Sequence, residues 1–470
     1  MKHTVFVSAT LALGLTGCMV GPNYKRPAVS TPPQFRGAPP GDTSTAATPD
    51  SLAETKWFDL FRDDTVKQLV TSALEKNFDL RIAAERVLEA RAQYGIVRAN
   101  LLPTVDAQVQ FTAVRSSSIG SATFVPPGTN LSSSYTQATG NLNWEIDLWG
   151  RLRRLNESAK AQYLGTEEAR NGVKLSLIGD VMSTYFALRE QDLELEISRQ
   201  TGDIANDNLR LINLRHDRGA ANALDVHQAE QFLYTATAQI ASSQRAIGQS
   251  EDAISLLLGS APSEVPRGKA LDQIAAPPQL PPGLPSSLIE RRPDIRQAEQ
   301  NLVAANAQIG AARALLFPDI SLTGLLGGQS RALTSLFTAP ARTATISPAA
   351  LIPIFHAGLR SGVRLTEAQQ REALITYEKT IYGALREVSD AFVVHERTRD
   401  QRIEEEKLVN ALYESVQLST LRYRGGLDSY LQVLDAERNL FGGQLTLAQL
   451  RLGELQSVVQ LYRALGGGWQ

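Results

Sequence analysis

The sequence predicts an internally duplicated protein of mixed α and β class whose strands lie in a membrane and whose helices are too long for a globule. Three observations carry that expectation. First, Asp79–Pro103 returns as Asp294–Pro318 at a constant offset, with Asp79, Arg81, Gln93, Gly95, Arg98 and Pro103 matching Asp294, Arg296, Gln308, Gly310, Arg313 and Pro318. Second, there is no proline between Pro127 and Pro262 or after Pro353, and these stretches carry apolar residues at helical spacing. Third, the periodicity changes to two-residue alternation directly after Pro103 and Pro318.

A second matched pair completes the duplication. Leu214, Arg215, Gly219, Leu224, Val226 and Glu230 match Leu421, Arg422, Gly426, Leu431, Val433 and Glu437. A unit of roughly 200 residues is far too long for a solenoid repeat, so the chain holds two copies of one module. Its expected organisation is a signal at 1–17, an extended arm at 18–63, a first repeat at 64–261, a proline-rich linker at 262–293 and a second repeat at 294–470.

The N-terminus reads as an export signal. Lys2 and His3 precede the apolar run Val5–Leu15, and Leu15-Thr16-Gly17-Cys18 closes it. The run is shorter than the ~20 apolar residues that span a bilayer, which makes it a processing segment. Its ending resembles a bacterial lipobox. Cys18 is the only cysteine, so no disulfide forms and the thiol is expected to carry diacylglycerol, with an N-acyl chain such as palmitate beside it. Met19 follows where aspartate is absent, as in lipoproteins sorted to the outer membrane. Durable anchoring takes more than one acyl chain, and no other cofactor is expected.

Each repeat then reads helix, two strands, helical hairpin. The first helices, about Asp64–Leu102 and Asp294–Phe317, end at Pro103 and Pro318. Polar Thr104, Asp106, Gln108 and Gln110 interleave with Val105, Ala107, Val109 and Phe111; a second strand runs Asn141–Trp149, with Ser116–Ser134 as the loop. In the second repeat Ser321 and Thr323 alternate with Ile320 and Leu322, Gly327–Pro340 is the loop, and Thr343, Thr345 and Ser347 alternate with Ala344, Ile346 and Pro348. Such strands fit a transmembrane barrel or a sandwich with one wet face. Four strands do not enclose a lumen, which takes ~8: either the sheet is small or several chains pool their strands. Each hairpin is expected to have arms of ~45–50 residues, ~70 Å at 1.5 Å per residue, breaking at Gly219 and at Gly425-Gly426. Capping signals follow each break, Asn222 with Asp225 and Asp428-Ser429 with Gln432.

Composition excludes more than it assigns. Lys and Arg total 47 against 49 Asp and Glu, a net charge of -2 with no basic patch, which argues against nucleic acid. The five histidines fit no metal-ligand spacing, and the chain offers neither a cysteine nucleophile nor a phosphate-binding glycine loop, so an enzyme is not expected.

From Cys18 to Trp469 the chain resembles the TolC-like outer-membrane factor family, in its lipoprotein branch of RND efflux channels. The resemblance rests on the duplication and on Cys18-Met19-Val20-Gly21-Pro22-Asn23-Tyr24-Lys25-Arg26-Pro27, Ile146-Asp147-Leu148-Trp149-Gly150, Arg422-Tyr423-Arg424-Gly425-Gly426 and Tyr430-Leu431-Gln432-Val433-Leu434-Asp435-Ala436. It implies a homotrimer whose chains give four strands each to a 12-stranded outer-membrane β-barrel, continued by a long periplasmic α-helical barrel. It further implies a periplasmic adaptor (a membrane fusion protein), an inner-membrane RND-type transporter, and export of small molecules such as drugs, the trait behind multidrug resistance. By the family's motif, Leu431, Asp435 and Arg438 close the periplasmic gate. Gln432 stands where some relatives carry a second aspartate, which speaks against a strong divalent-cation site. The hairpin tips, with Arg215, Gly219, Arg422 and Gly426, are expected to dock the adaptor; the arginines serve equally as cations answering helix dipoles, and Asp435 and Arg438 as an i,i+3 surface pair. An exit duct for type I protein secretion and a coiled-coil lipoprotein scaffold are the alternatives.

Overall fold

The computed structural model describes residues 19–36, 61, 63–117, 119, 126, 128, 130–274 and 285–467. The export signal, Cys18 and most of the extended arm's later part lie outside the described residues.

The first helix of the first repeat is broken in two. Helix α1 (Asp64–Lys76) opens at Asp63, whose carboxylate accepts the Thr65 N–H at 2.8 Å. Asn77 stops it in an extended conformation, and α2 (Phe78–Ala99) follows instead of one helix reaching Leu102. The cause is the Asn77 side chain, which accepts from Leu80 N–H at 2.9 Å and donates to Leu257 O at 2.9 Å, so it offers the backbone an alternative to the helix ladder.

Strands β1 (Thr104–Arg115) and β2 (Ser132–Glu145) come next. Helix α3 (Arg151–Asp217) then turns at Gly219 into α4 (Ala223–Leu257). The stretch expected as linker ends in the one-turn α5 (Leu288–Arg291), and after the extended Arg292 comes α6 (Pro293–Ala314), with Pro293 in the first helical position. Arg292 stands 215 residues after Asn77 and donates to Ala464 O at 2.9 Å, the counterpart of the Leu257 carbonyl. Strands β3 (Asp319–Ser330) and β4 (Arg342–Leu351), α7 (Ala357–Arg424) and α8 (Tyr430–Ala464) complete the chain.

The hairpin arms are unequal rather than ~45–50 residues each. They measure 67 and 35 residues in the first repeat and 68 and 35 in the second, because each long arm starts a few residues after its strand with no break.

The four strands form one antiparallel sheet in sequence order. Strand β2 starts at Ser132 and stops at Glu145, short of Trp149. Strand β3 runs through Gly327 and Gly328, which had read as loop. At Gly327 a Cβ would collide with the Ala138 carbonyl, so only glycine lets β3 lie this close to β2. Pro348 sits in β4, an edge strand of this chain's sheet, where a proline is tolerated.

The chain clusters into two compact units, each drawing on both repeats. One holds the residues up to Pro27 with Leu88–Gly165 and Ala298–Tyr377, and so all four strands; the other holds Ala28–Val87, Thr166–Gln297 and Glu378–Gln470, and so both hairpin turns. The core near the turns joins Ala205, Ile212, Ala229 and Phe232 to Tyr430, Val433, Leu434 and Phe441. Among the described residues, no helix is long and apolar enough to cross a membrane.

Candidate functional site

The sheet separates its residues by chemistry. Register aligns Asp106, Asn141, Leu325 and Thr345 in one row and Thr104, Asn143, Thr323 and Ser347 in the next. Apart from Thr104, these rows line a polar trough of about 580 Å³ together with Gln108 and Gly324. The opposite parity carries Val105, Val109, Phe111, Leu326 and Ile346, each at least 67% exposed. Apolar side chains standing in the open on one face while the other forms a polar hollow suit a strand set with lipid outside and water inside. Aromatic rings gather at one end of the strands. The Trp149 indole N–H donates to Pro318 O at 2.8 Å and the ring stacks on Phe317 at 4.8 Å. Trp144 donates to Leu101 O at 3.3 Å.

Both hairpin turns close with the same backbone bonds. Ala220 N–H bonds Arg215 O at 2.8 Å and Gly219 N–H bonds His216 O at 2.9 Å; Leu427 N–H bonds Arg422 O at 2.9 Å and Gly426 N–H bonds Tyr423 O at 3.1 Å. This Schellman pattern needs a left-handed residue, and Gly219 and Gly426 supply it at φ 71° and 72°. Arg215 and Arg422 therefore occupy the same helical position, yet they do different things. The Arg215 guanidinium lies 4.6 Å over the Tyr423 ring. Arg422 is exposed and holds Asp428 through Nη2–Oδ1 at 3.1 Å and a shorter bond from Nε, which lowers the Asp428 pKa.

Of the sequence-predicted gate residues, Leu431 and Asp435 sit four apart on the same exposed side of α8. Arg438 turns away from Asp435 and donates to Gln231 Oε1 on α4 at 2.9 Å; Asp435 accepts from Asn439 at 3.3 Å. The i,i+3 ion pair is thus not made, which leaves the Asp435 charge uncancelled by its own helix. Behind this face Glu437 is part-buried and accepts from Asn208 at 2.8 Å; burial pushes its carboxyl up.

The Cys18–Pro27 motif gives no hint in sequence of what its described part, from Met19 on, does in the fold. Val20 N–H bonds Trp149 O at 3.0 Å. Arg154, 1% exposed, donates to Val20 O and Gly21 O at 3.3 Å each and to Asn23 Oδ1 at 2.7 Å. Asn306 donates to Pro22 O at 3.0 Å, and a Cβ at Gly21 would collide with Gly310. Arg26 then clamps Glu299 with two bonds of 2.7 and 2.6 Å, joined by the Tyr24 hydroxyl at 3.1 Å. The motif is a strap held by Arg154 on α3, by Asn306 and Glu299 on α6, and by one backbone bond to Trp149. Gly21 within the motif, Gly310 and the run Arg151-Leu152-Arg153-Arg154 were the signals available.

Chemistry elsewhere is sparse. Among the described residues no group of three His, Cys, Asp or Glu side chains is placed to hold a metal. His227 pairs with Glu230 and His395 with Ser457, both at 2.9 Å.

Comparison with known proteins gives this arrangement a context. Residues 69–260 and 284–467 match the family described as outer membrane efflux protein. The solvent efflux pump outer membrane protein SrpC of Pseudomonas putida is 40% identical over 98% of this chain and 97% of its own. The cation efflux system protein CusC of Escherichia coli is 35% identical over 98% of each. The crystal structure of the open state of the MtrE outer membrane channel of Neisseria gonorrhoeae superposes with a TM-score of 0.85, at 29% identity over 96% of this chain and 99% of that one.

Proposed function

The chain belongs to the outer membrane efflux protein family, and from that membership and the two-faced sheet we propose that it carries small apolar or amphipathic molecules, drugs and solvents among them, from an RND-type pump to the exterior. It is an outer-membrane exit channel of a tripartite efflux system and not an enzyme. Three chains pool their strands into a 12-stranded barrel, with the helices continuing the duct. An adaptor and an inner-membrane pump work with it. The observation that carries the reading is the sheet with polar trough and exposed apolar face, since lipid over the apolar side and water in the trough satisfy both faces at once. Relatives named for solvent and cation efflux support a weakly selective duct whose cargo is chosen by the pump.

The finer assignments follow from the same frame. Cys18 carries the lipid that holds the chain to the membrane, and the strap beginning at Met19 ties that anchor to the channel body. Leu431 and Asp435 form the periplasmic closure, where an apolar ring resists wetting and a carboxylate ring favours cations. Arg438, held by Gln231, steadies α8 against α4. The tips bearing Arg215, Gly219, Arg422 and Gly426 receive the adaptor.

Single-channel conductance of the purified protein in a planar bilayer, with oligomeric mass measured alongside, tests the reading. Trimers with a low conductance that rises severalfold on Leu431→Ala or Asp435→Ala are expected. A monomer without conductance would overturn the channel, while conductance indifferent to both substitutions would overturn the gate. Gly219→Val and Gly426→Val trimers are expected to keep their conductance and to lose adaptor binding; retained binding would remove the tips from the docking site.

A further inference from the structure

On the channel reading above, we infer that Asp106 sets the charge preference of the outer, barrel-borne part of the duct. The residue lies on β1 within the polar trough, opposite Asn141, in a row continued by Leu325 and Thr345. None of these is a cation, and Asp106 makes no ion pair among the described residues. It is exposed to the trough rather than folded into the strand surface.

The other charges of the sheet do not duplicate its role. Glu145 shares the polar parity of β2 but is bonded by Arg151, with Nε–Oε1 at 2.9 Å. Asp319, on the trough's parity at the start of β3, lies in the field of that same Arg151. Arg115 and Arg342 stand at the far ends of β1 and β4 on the opposite parity. Between those ends the polar face holds hydroxyls, amides and the apolar Leu325, and among the described residues Asp106 is its uncompensated charge.

Closure of three chains into one barrel brings three Asp106 carboxylates to a common level. That level is ~7 Å, two residues, from the Thr104 end of the strand. A ring of like charge in a water-filled tube attracts cations and repels anions over about one screening length, ~30 Å at 0.01 M salt and ~3 Å at 1 M. The preference therefore reaches across the lumen in dilute salt and shrinks to the wall in concentrated salt. Its consequence for cargo is a bias toward cationic and neutral molecules in the last stretch of the exit path.

Reversal potentials under a KCl gradient test this, on an Asp435→Ala background so that the carboxylate on α8 does not mask the effect. Near 0.01 M salt, Asp106→Asn is expected to lower the potassium-to-chloride permeability ratio about twofold. Asp106→Lys is expected to lower it further, and both differences vanish near 1 M. Trimer mass and conductance at 1 M serve as the folding control. Reversal potentials in dilute salt that ignore Asp106→Lys, in trimers that still conduct, would overturn the inference and leave the channel standing. Trimers without any conductance step would overturn the channel reading itself, and this inference with it.

Discussion

The two hairpin turns share one backbone and differ in what holds it. Gly219 and Gly426 adopt the same conformation and make the same pair of bonds, 207 residues apart. At the first turn Asn222 and Asp225 form a reciprocal capping box, with bonds of 2.8 and 3.2 Å. At the second, Ser429 makes no side-chain cap and Asp428 is taken by Arg422. The first turn is thus tied by short-range bonds within one helix end. The second depends on an exposed ion pair, on the Tyr423–Tyr430 contact at 5.6 Å and on Arg438 reaching Gln231. Duplication fixed the geometry, while side-chain divergence left the helix that bears Leu431 and Asp435 with the weaker local hold. The closure proposed at Leu431 and Asp435 would, on that hold, sit on the copy that opens more readily.

The same comparison applies where each long arm begins. Arg154 is buried under the strap, while Ser361, 207 residues later, is exposed. Arg154→Ala is expected to have the largest effect, because it strands strap carbonyls inside the protein and leaves a cavity: about 3 kcal/mol or more. Ser361→Ala should stay within ~0.5 kcal/mol. Thermal unfolding of both variants checks this, and equal shifts would mean that the strap contributes nothing beyond the repeat itself.

A second contrast is electrostatic. Glu190 is buried on α3 beside Glu194, which accepts from Gln239 and Gln449 at 3.4 and 3.2 Å. Its counterpart Arg397 is exposed and pairs with Asp400. Burial first, then the bond and charge of Glu194, push the Glu190 carboxyl up to about 8 from 4.5. A folded value above the unfolded one means that the folded state holds the extra proton. Stability therefore falls as pH climbs from about 4.5 to about 8 and is lowest above that window. Glu190→Gln should flatten this dependence and stabilise the protein at pH 9 by about 2 kcal/mol while changing little at pH 4. Denaturant titrations at the two pH values read it; parallel wild-type and variant profiles would refute the protonated pair.

The smallest expected effect sharpens the comparison of the turns themselves. Asn222→Ala removes a working cap and should cost about 1 kcal/mol, whereas Ser429→Ala removes none and should cost a few tenths. Hydrogen exchange at the starts of α4 and α8 resolves the two; equal losses would show that Ser429 caps its helix in solution.

Much of this was legible in the residues, and the exceptions have physical causes. Matched glycines located both turns because positive φ is a local demand. The alternation after Pro103 and Pro318 located β1 and β3 because side-chain parity is a property of the strand alone. The break at Asn77 was missed because it depends on a carbonyl at Leu257, 180 residues away. The extension of β3 through Gly327 was missed because glycine reads as loop until β2 lies against it. The i,i+3 pair of Asp435 and Arg438, the alternative that helical spacing offered, does not form because Gln231 on α4 takes Arg438.

By itself the sequence determined the duplication, the order of elements, the turn positions and the two-faced strands. Each of these follows from interactions a few residues apart, or from a pattern that repeats. Tertiary structure alone decided that Arg154 and Glu299 receive the strap, that Arg438 bonds Gln231, that Glu190 is buried while Arg397 is exposed, and that Asp106 faces a row without a cation. Those outcomes depend on which distant side chains share a dielectric and a hydrogen bond, and chain spacing carries no record of that.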